Sequence, residues 1–129
     1  MALVEVASQR AAGQGSILVG DQLVAPIGST ARAGRSPVAT SATARAEICT
    51  REPTCGMHAI SLDKALSNGK PTVVSFATPL LCASRMCGPV LDEQLQAFQA
   101  VGGQANFVHV EIYPGRTTKR PAPLYRTWA

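Results

Sequence analysis

The chain has 129 residues, 46% hydrophobic and 16% charged, the balance of one ordinary globular domain with no room for a second complete core. Its formal net charge of +4 comes from basic residues spread from Arg10 to Arg126, and aromatics make up only 5%; this argues against nucleic-acid binding, which gathers basic stripes and stacking side chains on one face. No apolar run approaches the ~20 residues that cross a bilayer, and MALVEVASQR does not read as an export signal, so membrane attachment is expected only through an anchor outside this sequence.

In chain order, Val4 and Val6 flank Glu5 in the alternation of a strand, and SILVG (16–20) is a weaker strand candidate. Residues 28–46 read as linker, because no bulky side chain recurs at helical spacing and Gly34, Ser36 and Pro37 punctuate the stretch. The chain therefore divides into a strand remnant with linker over 1–45 and a folded part over 46–129. Ser61 is placed to cap a short helix through Leu62, Ala65 and Leu66, with Asn68 and Gly69 as its left-handed stop. TVVSFA (72–77) is β-branched and aromatic, a strand covered on both faces of the kind found in parallel sheets. After the loop TPLLCASRM, Gly88 and Pro89 open a helix. Asp92 and Glu93 complement its positive end, and Val90, Leu91, Leu95 and Phe98 form one apolar stripe before Gly102 and Gly103 end it. NFVHVEIY (106–113) is a second strand, so the order strand, helix, strand predicts an α/β fold with two parallel strands. The tail PLYRTWA begins another helix, with Tyr125 and Trp128 as core anchors.

The four cysteines form two close pairs, Cys49 with Cys55 and Cys82 with Cys87, and an even, paired count favours an oxidising compartment. Cys87 precedes the helix start, where unpaired amides and the helix dipole favour a thiolate and lower the thiol pKa. Cys82 lies five positions earlier on a loop that can bring the two sulfurs within bonding distance, and Arg85 between them adds positive potential. The pair is either a redox disulfide or a structural staple. Cys49 and Cys55 flank a loop containing Pro53 with no helix to activate a thiolate, so a structural disulfide is expected there. A four-cysteine zinc site would require both pairs to meet, with gaps of five and four residues where zinc knuckles are tighter; no metal or cofactor is assigned. His58 and His109 are read as single hydrogen-bonded histidines, and Glu111 as a strand-end charge within reach of a proton-accepting role.

FATPLLCASRMCGPVLD, with GKPTVV before it and FVHVEIY after it, resembles a group of bacterial cell-envelope proteins whose thioredoxin-like domain carries the turn F-A-T-P-x-x-C-x-S-x-x-C-G-P-V-x-D. The upstream stretch ICTREPTCGMHAISLDKAL is similar to the segment that precedes the turn in that group, and the likeness extends over about half of the chain. It implies a partial thioredoxin-like fold lacking the C-terminal hairpin, preceded by a long irregular segment, in an extracytoplasmic protein. It further implies thiol-disulfide exchange with protein disulfides or a redox partner, with Cys87 as the attacking thiolate, Cys82 as the resolving cysteine, and Thr78, Pro79, Arg85, Gly88 and Pro89 in support. Against thioredoxin itself, Val90 stands where the second cysteine would be and Met86 where the tryptophan would be. The alternative is a non-enzymatic module held by Cys82–Cys87 and Cys49–Cys55 disulfides. A domain without the hairpin leaves TVVSFA as an apolar edge, and marginal stability or self-association is expected.

Overall fold

The computed structural model describes residues 25–117 and 120–128 in full, and residues 2–6 and 9–13 as backbone. Strands β1 (Ala2–Val6) and β2 (Gln9–Gly13) pair antiparallel, Ala2 opposite Gly13 and Val6 opposite Gln9. The alternation around Glu5 thus marks a strand as expected, its partner QRAAG carries no strand signal of its own, and SILVG lies outside the described residues.

The main body is mixed α/β. Strand β3 (Thr72–Phe76) runs parallel to β4 (Asn106–Val110), Val73 opposite Phe107 and Ser75 opposite His109, and helix α3 (Cys87–Val101) connects them. Helices α1 (Ala42–Ile48) and α2 (Leu62–Ser67) precede the sheet, and α4 (Pro123–Trp128) follows it. Alternation along β4 divides the interior in two. Phe107 joins Cys49, Cys55, Met57 and Leu91, whereas Val108 and Val110 join Leu62, Ala65 and Leu124. The strand buried on both faces is therefore β4, while Val73 of β3 keeps 44% of its surface exposed. TVVSFA was expected to be covered on both faces; its inner face is, through Val74 and Phe76, the latter in ring contact with Tyr125 and Trp128 of α4. The second strand also ends earlier than expected, at Val110, since Ile112 turns its carbonyl to the Ala122 amide instead of to β3.

The stretch read as linker is ordered. The Ser41 hydroxyl accepts the Ala44 amide at 3.2 Å and starts α1, none of whose residues is buried, which is why no hydrophobic spacing marked it. Upstream of α1, Gly34 accepts the Asp63 amide, the Ser36 hydroxyl accepts the Leu62 amide at 3.0 Å, and Ala39 donates to the His58 carbonyl. Backbone and hydroxyl bonds, with the small buried side chain of Ala39, dock this strip. They also displace Ser61 from its expected capping role: the Gly34 carbonyl takes the Asp63 amide that a capping hydroxyl would accept, and the Ser61 hydroxyl donates to the Asp63 carboxylate instead. Gly69, at φ +78°, terminates α2 as the sequence predicts.

Candidate functional site

The turn after β3 carries the first cysteine pair. The Ala77 amide donates to the Val110 carbonyl and extends the parallel ladder by one step, so the chain leaves the sheet at Thr78. Thr78 is buried; its hydroxyl accepts the Tyr113 amide at 3.0 Å and its carbonyl accepts the Leu81 amide, closing a single 3-10 turn that begins at Pro79. Thr78 and Pro79 thus shape the approach to Cys82. Cys82 and Cys87 are joined in a disulfide with their Cα atoms 6.1 Å apart, inside the usual span for such a bond.

Cys87 is the first residue of α3, a helix of 15 residues, and both sulfurs belong to half-buried residues. Pro89 sits in the first turn, where its missing N–H forfeits nothing, and open space surrounds the Cα of Gly88. Arg85 adopts φ +59°, a left-handed conformation that reverses the chain between the two cysteines, and its side chain is exposed. The Cys82 sulfur lies 3.3 Å from the Ser84 hydroxyl, which also receives the Met86 amide. Leu80, Met86 and Val90, all from this turn and the start of α3, are exposed. Asp92 and Glu93, expected to complement the positive end of α3, lie beyond its first turn because the helix begins at Cys87, and Asp92 is bound by Arg51 at 2.8 Å.

The second pair departs from expectation. Cys49 and Cys55 are free thiols, almost wholly buried, with their sulfurs 3.8 Å apart, in place of the structural disulfide read from the sequence. Two histidines complete the reason. His109 on β4 faces both sulfurs through Nδ1, at 3.4 Å from Cys55 and 3.9 Å from Cys49, and the His58 ring lies tilted against it at a ring-centroid separation of 4.8 Å. The histidines read as unrelated single residues therefore form one buried group with the cysteines. Cys55 hydrogen-bonds to the Cys49 sulfur, and this contact holds the Cys49 thiol well below its usual range. The same contact, with burial, pushes Cys55 up.

Around this group, His109 Nε2 lies 3.1 Å from the Ala77 carbonyl and 3.7 Å from the Glu111 carboxylate. Glu111 is buried, not a strand-end surface charge, and accepts the amide and the hydroxyl of Thr50 at 2.6 and 3.1 Å. Thr50 in turn receives the Leu80 amide, which links the second cysteine group to the turn bearing the first. The missed signal was local: a histidine between two valines, in a strand whose every other residue is apolar or turned inward, has no exposed face to occupy. Among the described residues no helix is long and apolar enough to cross a membrane. No protein-family model matches the chain, and no curated protein or solved structure shows significant similarity to it.

Proposed function

We propose that the chain is a thioredoxin-like thiol-disulfide exchange module working on protein disulfides in an oxidising compartment such as the cell envelope. The observation that carries this reading is the Cys82–Cys87 disulfide with Cys87 as the first residue of α3, because that position stabilises a thiolate on the sulfur that must attack. In the reduced chain, the Cys87 thiolate attacks one sulfur of a substrate disulfide; the substrate S–S bond breaks, and the other substrate sulfur leaves as a thiolate. Cys82, as its thiolate, then attacks the Cys87 sulfur and releases the second substrate thiol. The substrate gains two electrons, the Cys82–Cys87 bond re-forms, and a thiol reductant returns the pair to its starting state. Run in reverse, the same steps oxidise a dithiol. Exposed Leu80, Met86 and Val90 beside the pair suit an apolar stretch of polypeptide.

Substituting Cys82→Ser removes the resolving sulfur and should leave substrate trapped on Cys87 as a mixed disulfide, visible by intact mass, while Cys87→Ser should trap nothing and lose insulin reduction. The potential of the pair is the decisive measurement. A value above about −270 mV is expected for an exchanger, and one below about −300 mV would make the bond a structural staple.

A further inference from the structure

We propose that Cys49, Cys55, His58 and His109 form a closed tetrahedral site for a zinc-class divalent cation. Each residue offers one ligand atom and these atoms all lie within 4.8 Å of one another, every one on a buried residue. With Zn–S bonds of about 2.3 Å and Zn–N bonds of about 2.05 Å, a tetrahedron places its two sulfurs about 3.8 Å apart and sulfur to nitrogen about 3.6 Å apart. The observed separations are 3.8 Å between sulfurs and 3.4 and 3.9 Å from them to His109 Nδ1.

The surroundings fit a ligand set. A carbonyl oxygen only accepts, so His109 donates Nε2–H to Ala77, and a neutral ring then keeps its lone pair on Nδ1, facing the sulfurs. A backbone carbonyl holding the far nitrogen is the usual arrangement behind a metal-bound imidazole. His58 is 2% exposed and its Nε2 lacks a hydrogen-bond partner, a cost of burying the ring that ligation offsets. A cavity of about 230 Å³ opens onto both imidazoles and gives the ion a way in. Two thiolates and two imidazoles favour zinc over magnesium or calcium, whose ligands are oxygens. A disulfide would account for two of the four groups; an ion accounts for all of them, and with no position left for water its role is to tie the 49–58 loop to β4.

The test uses the full chain carrying Cys82→Ser and Cys87→Ser, so that Cys49 and Cys55 are its only thiols, titrated with Co²⁺ under reduction. One equivalent should bind, with tetrahedral ligand-field bands in the visible and a thiolate-to-cobalt charge-transfer band, displaced by Zn²⁺; His58→Asn and His109→Asn should each shift or abolish the spectrum. No charge-transfer band in a chain that shows two free thiols overturns the proposal, as does a spectrum unchanged in both histidine variants. Native mass spectrometry of the unaltered chain is independent of whether the serine chain folds: one zinc per chain is expected, and a metal-free chain with Cys49 bonded to Cys55 overturns the site. Neither outcome touches Cys82 and Cys87, so failure here leaves the exchange reading to its own test.

Discussion

Ser61 and Asp63 show how a single hydroxyl can be diverted. Because the Asp63 amide finds its acceptor in the Gly34 carbonyl, the Ser61 hydroxyl is free to donate to the Asp63 carboxylate, and that bond holds the Asp63 carboxyl below its usual range. A lowered folded-state value means a contribution to stability that is present above the unfolded carboxyl pKa of about 3.9 and is lost as pH falls through the lower folded value. Ser61→Ala should return Asp63 to the ordinary carboxylate range in an NMR titration of its side-chain carbonyl and leave the structure of α2 unchanged; an unmoved titration would show that the hydroxyl is not the cause. Residues of this kind are where sequence alone misleads. Ser61 has the identity and place of a cap, but whether it caps depends on Gly34, far earlier in the chain. His109 is the same case with larger consequences: its partners Cys49 and Cys55 stand 60 and 54 residues earlier, and only the position of β4 brings them together.

Helix α3 fixes the first cysteine pair and walls the second. Leu91, Leu95 and Phe98 recur at helical spacing and pack against Met57 and Phe107, in the same cluster as Cys49 and Cys55. Leu91 is fully buried, so Leu91→Ala should destabilise the protein by about 2–5 kcal/mol, the range for a truncated core leucine, in denaturant unfolding monitored by circular dichroism. A change below about 1 kcal/mol would mean that α3 is not anchored there. This helix, β3 and β4 were legible in the sequence because each has a strong period of its own: a stripe at 91, 95 and 98, a β-branched run at 72–76, and an apolar run ending at Val110. Helix α1 was not, since none of its residues is fully buried and its signal is one capping serine. The candidate exchange site was legible for the same reason as α3, being local to the turn and the helix start. The thiol-imidazole group was not, because it is assembled from the loop that follows α1 and from β4.

At the scale of the whole molecule, β4 is the centre and β3 the flank. β4 bonds to β3 on one side and, through the His109 amide, to the Met57 carbonyl at 2.8 Å on the other, whereas among the described residues β3 pairs with β4 alone. The outer N–H and C=O groups of β3 therefore form a short template for another strand, beside Val73 at 44% exposure. α4 does not relieve this, because Tyr125 and Trp128 cover the face of Phe76 and not the strand's hydrogen-bonding edge. Edge pairing adds backbone bonds at little entropic cost once two copies meet, and a lysine on such a strand opposes it through charge repulsion and the cost of burying an ammonium. The sedimentation coefficient should thus rise with protein concentration for the native chain, and Val73→Lys should hold it at the monomer value while leaving the Cys82–Cys87 bond in place. A native chain that sediments as a monomer at every concentration would show that the β3 edge is protected.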